Sequence, residues 1–279
     1  MALFGNEHVN ILHTSTEKKE IIGLNIGAGI SFKEDNWENL DYLGNVYGKD
    51  DYIPHINFDL NSLKKIPRND ETYECIYSSH TIEHLLNEVD AHIFNESFRL
   101  LKHNGIIRIS CPDYDKMLYA YLNNYNVAPT LGDRFGEKWS PFSSFLYKTF
   151  TFCHKRGRGD FYRNKFNDPN MYKELDFDDN DIITKDKFDK LLKENGRNYV
   201  FNHCYNISKK YNLNYADLFS GNHINWWNQE KLTKYLKEAG FSDIKVYPKN
   251  GISYTELMVG PSFGDSMPGW SIFIEAKKK

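Results

Sequence analysis

Two rhythms of apolar and polar positions run along this chain. From residue 1 to 113, short apolar runs alternate with amphipathic stretches, the pattern of a parallel sheet made of strand–helix–strand units. Glu20–Ile26 reads as a strand running into Gly27-Ala28-Gly29, with further strands over Trp37–Tyr42, His55–Leu60 and Tyr73–Ser78. Ile82, Leu85, Leu86, Val89, Ile93 and Leu101 then recur at helical spacing until Asn104-Gly105 stops them. Gly105–Cys111 predicts a fifth strand, ended by Pro112. The same rhythm returns late in the chain. A helix is expected over Gln229–Ala239, with Leu232, Tyr235 and Leu236 on one face and Gly240 at its end. Strands over Asp243–Tyr247 and Ser271–Ala276 complete the set.

Residues 114–220 break the pattern. They are rich in aromatics and polarised in charge: Lys155, Arg156, Arg158, Arg163 and Lys165 are followed by Glu174, Asp176, Asp178, Asp179 and Asp181. A segment that long is not a structureless loop in a compact domain, so it predicts a mostly helical insertion folded over the open face of the sheet. The 279 residues therefore divide into one α/β core, 1–113 with 221–279, and an insertion, 114–220, that forms a lid and an acceptor site.

Composition narrows function by exclusion. A net charge of −3 provides no global basic field for nucleic acid. The first twenty residues lack a basic region followed by an apolar run, and no stretch reaches about 18 apolar residues, so a cytoplasmic protein without integral membrane association is expected. Cys75, Cys111, Cys153 and Cys204 lie far apart with no CxxC pair, which predicts reduced thiols rather than a zinc site or a disulfide framework. Aromatics make up 15% of the chain, and Trp139, Phe142, Phe145, Tyr147, Phe150, Phe152, Phe161 and Tyr162 crowd the insertion, as core or as a stacking surface for a sugar or base. Lys155-Arg156-Gly157-Arg158 reads as a solvated surface or, in the sharper reading, as a phosphate clamp.

Gly27-Ala28-Gly29 after an apolar strand is a tight turn at the carboxyl edge of a sheet, where α/β proteins bind ligands. A dinucleotide fold needs a third glycine, a crossover helix and an acid about 20 residues on. Here Phe32 stands at the third position, seven residues separate Gly29 from Trp37, and Asp41 follows Gly29 by 12. The spacing favours S-adenosylmethionine over a dinucleotide.

The order of motifs resembles the class I S-adenosylmethionine-dependent methyltransferases. The resemblance rests on Leu24-Asn25-Ile26-Gly27-Ala28-Gly29, Trp37-x-Asn39-x-Asp41, Phe58-Asp59-Leu60, Ser79-His80-x-x-Glu83-His84-Leu85, Arg99-Leu-Leu-Lys102 and Pro112-Asp113. Late in the chain His223-x-x-Trp226, Glu238-Ala-Gly-Phe241 and Ser271–Ala276 extend it. It is nearest to the branch that modifies bacterial surface polysaccharides, and Lys102-His103-Asn104-Gly105 departs from the family's usual turn. The resemblance implies a Rossmann-like seven-stranded sheet, mostly parallel, with an antiparallel last strand and helices on both faces. It implies that Asn25, Gly27, Ala28 and Gly29 border the cofactor's methionine half, and that Asp41 accepts from the ribose hydroxyls. Asp59 would accept from the adenine amino group with Leu60 against the ring, while Ser79 and His80 lie beside the sulfonium.

A hydroxyl acceptor must also lose a proton. His223 is the first candidate for the base, followed by His84, Asp113 and His203. Asp113 alternatively belongs to a turn. His80, Glu83 and His84 share one face if a helix begins at His80, a spacing also found in zinc proteases. Protease chemistry needs both histidines well inside a helix, and a strand ends just before His80. In some related methyltransferases a glutamate and histidine here, with a later histidine, hold a divalent ion, for which His203 or His223 would be the third ligand. The main reading assigns no metal.

The sequence thus predicts an O-methyltransferase for a sugar or nucleotide-activated sugar in capsule or other surface-polysaccharide synthesis. Its cofactor is S-adenosyl-L-methionine, its product S-adenosyl-L-homocysteine, and a homodimer stays open. The alternatives are a methyltransferase for a lipid, quinone or other small metabolite, and a non-methylating nucleotide-binding protein or oxidoreductase.

Overall fold

The computed structural model describes residues 20–29, 32–42, 53–128, 138–154, 178–219, 222–247, 255–258, 261–263 and 269–279. Seven strands form one sheet: β1 (Gly23–Ile26), β2 (Trp37–Asp41), β3 (Ile56–Asn57), β4 (Tyr73–Ser79), β5 (Leu101–Pro112), β6 (Ser242–Tyr247) and β7 (Ser271–Lys277). Their order is β3-β2-β1-β4-β5-β7-β6. β1 to β5 pair in parallel, and β7 runs antiparallel between β5 and β6. The seven-stranded mixed sheet expected from the sequence is therefore present. The chain leaves β1 towards β2 on one side and returns at β4 on the other. The crevice outside the carboxyl ends of β1 and β4 is where such a sheet binds ligands.

Period-two alternation sorts the strands' side chains onto two faces. Leu24, Ile26, Leu40, Ile76, Ile107, Ile109, Ile272 and Ile274 belong to the main core. Two helices cover it: α1 (Asn87–Leu100), with Val89 and Ile93, and, at the far end of the chain, a helix over Gln229–Glu238, with Leu232 and Leu236. Trp37, Cys75, Tyr77 and Ile106 face the other way, against Phe32, Met258 and Phe263. Among the described residues this second face is roofed by 3-10 turns at Glu256–Met258 and Pro261–Phe263. Among the described residues of the link between β1 and β2 there is no helix. Arg108 and Glu275 form an ion pair of 3.1 Å under this roof.

The described residues of 114–220 are mostly helical, as expected: α2 (Tyr114–Leu122), α3 (Pro141–Thr149), α4 (Lys185–Asn195) and α5 (Arg197–Phe219). The helix over Gln229–Glu238 is α6. Side-chain caps start α3 and α4, where Ser140 accepts from Ser143 N and Thr184 from Lys187 N. Phe142, Phe145, Phe150 and Phe152 are buried and continue the main core of the sheet. Phe161, Tyr162 and the basic run 155–165 lie outside the described residues. All four cysteines are free and buried. Among the described residues no helix is long and apolar enough to cross a membrane.

Two boundaries differ from the sequence reading. Leu101 starts β5 instead of ending a helix, because its backbone is extended and it pairs with Tyr73 of β4. The helix expected from His80 begins only at Asn87. Ile82–His84 is a 3-10 turn, and Leu86 is extended before α1. His80 has a positive φ of 52°, and its N–H donates to Ser110 O at 2.9 Å. The stretch thus leaves β4 as a shaped loop, with none of the uniform helical face that the spacing implied.

Candidate active site

β1 delivers the chain into Gly27-Ala28-Gly29, and the turn is pinned to β2. Gly27 N and Ala28 N donate to Leu40 O at 2.9 and 3.3 Å. Both glycines have positive φ, 69° and 57°, which favours residues without a Cβ. Their surroundings differ. A Cβ on Gly27 would stand 2.2 Å from Thr81 Oγ1, whereas one on Gly29 would meet nothing within 4 Å. Gly29 N donates to Asp41 Oδ2 at 2.7 Å, and Tyr42 N to Asp41 Oδ1 at 2.7 Å. Burial raises the Asp41 pKa above the usual carboxylate value, against those two hydrogen bonds. Each carboxylate oxygen keeps a second lone pair for a hydroxyl donor.

Along the same strand edge, Phe58 N donates to Asp41 O at 2.9 Å, which sets Asp59 and Leu60 beside β2. Asp59 accepts from Asn61 N at 2.9 Å and caps the turn Leu60–Ser62. Asn25 is buried on β1, and Ser79 ends β4 opposite Ser110. Thr81 joins the two edges, its hydroxyl donating to Ile26 O at 3.3 Å. The residues expected to border a cofactor are therefore gathered at the ends of β1 to β4, with open space in front of Gly29.

Glu83 lies at the centre of a second group. It is fully buried, its Oε1 is 2.9 Å from His80 Nδ1 and 3.9 Å from His84 Nε2, and its Oε2 has no hydrogen-bond partner. His223 joins from 139 positions along, its ring edge-on to that of His84 at 4.8 Å between centroids. Backbone bonds bring it there: Ile224 N and Asn225 N donate to Glu83 O at 2.9 and 3.0 Å. Trp227 Nε1 donates to Ile82 O at 3.2 Å. His84 Nδ1 lies 3.0 Å from Asn222 O, and His223 Nδ1 lies 2.6 Å from Lys148 O. A carbonyl only accepts, so each Nδ1 carries a proton, and in the neutral ring Nε2 is the nitrogen with the free lone pair. Burial would raise the Glu83 pKa, but His80, then His84 and His223, outweigh it and bring it down to about 2. Burial, with repulsion from His84, pushes His223 down to about 3.

That shift counts against His223 as the base. A half-buried ring whose charged form is disfavoured has a reduced affinity for a proton. Asp113 is the N-cap of α2, accepting from Asp115 N and Lys116 N at 3.1 and 3.4 Å. His203 is outside the Glu83 group. It is stacked on Tyr199, with its pKa lowered by burial and by Lys187. His84 does stand beside Glu83, as noted.

Sequence reasoning missed the clamp that holds these parts together. Lys231 Nζ donates to Asn225 Oδ1 at 2.7 Å and Trp226 O at 2.9 Å, and sits 4.3 Å from the Trp227 ring centroid. Asn225 Nδ2 donates to Asp90 Oδ2 at 2.8 Å and Leu85 O at 3.1 Å. Burial pushes the Lys231 ammonium down to about 7. Asn225 and Trp226 follow His223 directly, but a lysine on an amphipathic helix carries no sign of burial.

Residues 28–109 match the family model described as a methyltransferase domain. Over residues 28–109 the chain is thus similar to S-adenosylmethionine-dependent methyltransferases, and the strand order and the glycine turn agree with that likeness. The chain is also similar to several solved structures. One is an S-adenosylmethionine-dependent methyltransferase of Thermotoga maritima, described as a possible histamine N-methyltransferase. It has 12% identity, covers 92% of this chain and 82% of that one, and has a TM-score of 0.38. A methyltransferase of Archaeoglobus fulgidus has 13% identity, coverage of 94% and 87%, and a TM-score of 0.41. One of Mesorhizobium loti has 12% identity, coverage of 93% and 92%, and a TM-score of 0.40. No curated protein sequence matches the chain.

The cofactor fits the residues present. A positive-φ turn open at Gly29 admits close backbone approach, and Asp41 offers two oxygens to a diol. When bound, S-adenosylmethionine supplies a methyl group on a sulfonium, so the protein's task is alignment and proton removal.

Proposed function

We propose that this methyltransferase methylates an oxygen of a small hydroxylated acceptor, a sugar or nucleotide-activated sugar. The supporting observation is the His80–Glu83 pair. Glu83 Oε1 accepts from His80 Nδ1–H at 2.9 Å, which directs the basic Nε2 away from the carboxylate. That nitrogen meets Ser271 Oγ at 3.4 Å and belongs to a side chain 22% exposed. A buried carboxylate behind a histidine fixes its tautomer and stabilises the imidazolium that forms when the ring takes a proton. His80 is therefore the proposed general base, in place of His223. The glycine turn after the neighbouring strand β1 and Asp41 on β2 hold the cofactor, and Thr81, next to His80, bonds to that edge.

The sugar assignment rests on the resemblance to polysaccharide-modifying enzymes, together with the aromatic rim of the insertion, where Trp139 packs edge-on against Tyr147 at 4.9 Å. Incubation of the enzyme and S-adenosylmethionine with a panel of sugars, nucleotide-activated sugars, amines and lipids, followed by mass spectrometry, tests it. One added methyl on a sugar hydroxyl is expected. Methylation confined to amine or carbon acceptors would overturn it.

A further inference from the structure

We propose that Glu83, His84 and His223 form a pocket for an ammonium group of the acceptor, which makes that acceptor an amino sugar. The proposal rests on the hydroxyl-acceptor reading above and adds the group that anchors the sugar. One nitrogen or oxygen atom from each of the three side chains lies within 4.8 Å of the other two. The atoms they have to spare are all hydrogen-bond acceptors. Glu83 is fully buried, and its Oε2 has no hydrogen-bond partner, although Oε1 accepts from His80. His84 and His223 donate their Nδ1 protons to the carbonyls of Asn222 and Lys148, which leaves Nε2 as the accepting nitrogen of each neutral ring. Among the described residues the ion-pair partners of Glu83 are His80 and His84. Three acceptors around a buried carboxylate call for a ligand with several donors and a positive charge.

Size then chooses the ligand. An ammonium nitrogen directs three N–H bonds at tetrahedral angles, so with hydrogen bonds of about 2.9 Å its acceptors stand about 4.7 Å apart. The observed spacing agrees with that figure. An ion of the zinc type would need the same atoms roughly 3.4 Å apart. A primary ammonium therefore fits the group as it stands, and the His84 side chain, 21% exposed, gives it a way in. A nitrogen that keeps three protons has no lone pair, so it is an anchor and not the atom that receives the methyl group. The reacting hydroxyl belongs at His80 Nε2. Glu83 Oε1 joins the two places, 2.9 Å from His80 Nδ1 and 3.9 Å from His84 Nε2. One carboxylate and one imidazole ring separate them, a span that two substituents of one sugar ring bridge. In the transfer step the hydroxyl oxygen bonds to the methyl carbon as the carbon–sulfur bond breaks. Its proton passes to His80, and the ammonium keeps its own.

Calorimetric titration of the chelator-treated full chain, saturated with S-adenosylhomocysteine, tests the pocket with glucosamine, galactosamine and mannosamine, each beside its N-acetyl form. At least one free amine should bind about tenfold or more tighter than its N-acetyl counterpart, whose amide has one N–H and no charge. His84→Ala and Glu83→Gln should each erase that preference, with S-adenosylhomocysteine affinity retained as proof of fold, and His203→Ala should leave it intact. Mass spectrometry of the products should place the added methyl on an oxygen of the amine-bearing sugar. The pocket is overturned if no amine binds, if amine and N-acetyl forms bind equally, or if the preference survives in His84→Ala. Binding that appears only after a divalent ion is restored, or a methyl on the nitrogen, overturns it too. Methylation of amine-free sugars alone would sink the pocket and leave the hydroxyl acceptor standing. Amine binding without methylation of any hydroxyl would do the reverse.

Discussion

Replacing each glycine of the β1 turn by alanine separates fold from ligand space. Both residues adopt left-handed φ, which costs an alanine about 1–2 kcal/mol. For Gly29 the cost ends there, because the new methyl meets nothing within 4 Å. At about 2 °C per kcal/mol for a chain of this size, Gly29→Ala should lower Tm by about 2–4 °C. The methyl would occupy the space assigned to the cofactor, so S-adenosylhomocysteine affinity should fall at least tenfold, about 1.4 kcal/mol. For Gly27 the methyl would overlap Thr81 Oγ1 and Cγ2, at 2.2 and 2.5 Å. Overpacking adds about 1–3 kcal/mol, so its Tm should fall by about 4–10 °C. Differential scanning fluorimetry and calorimetric titration of both variants read the two quantities. If Gly29→Ala binds S-adenosylhomocysteine like the wild type, or loses as much stability as Gly27→Ala, the cofactor does not lie against that turn.

Three further outcomes follow from the geometry. Asp41→Ala removes the acceptor at the end of β2 and should cost more than tenfold in S-adenosylhomocysteine affinity by titration; unchanged binding would refute its ribose role. His80→Ala should lower kcat by about 100-fold or more, leave cofactor affinity intact and remove the acidic limb of the pH–rate profile, and a retained limb would exclude it as the base. Lys231→Met strands Asn225 Oδ1 and should destabilise the fold by about 1–3 kcal/mol in urea unfolding. Its pH dependence has a defined sign. The folded pKa, about 7, lies below the unfolded value of 10.5, so the unfolded chain holds the extra proton between them. Wild-type stability relative to Lys231→Met should therefore grow as pH rises from about 7 to about 10, and a flat or falling difference would show that the ammonium is not desolvated.

The strands were legible because buried parallel strands are short apolar runs bounded by glycine and proline, and β1, β2, β4 and β7 fell within a few residues of expectation. Leu101 was misplaced because Leu100 and Leu101 prolong a helical spacing, and only pairing with Tyr73, a tertiary fact, ends the helix. The glycine turn and Asp41 were legible from motif order. His80, Glu83 and His84 were flagged by spacing, but spacing placed them on a helix. Glu83 follows the left-handed backbone at His80, and its carbonyl is met by Ile224 N and Asn225 N from far along the chain. The burial of Asp90 and the half-burial of Lys231 leave no mark in the sequence because polar residues on amphipathic helices ordinarily face water, and Asn225 lies in the irregular stretch before α6.

The insertion and the sheet draw on a single apolar core, with Phe145, Phe150 and Phe201 continuous with Ile82 and Leu86. An engineer could not lift the described helices of 114–220 out, or transplant them onto another fold, without opening the face on which the sheet itself depends. Heating should melt the two together, in one transition.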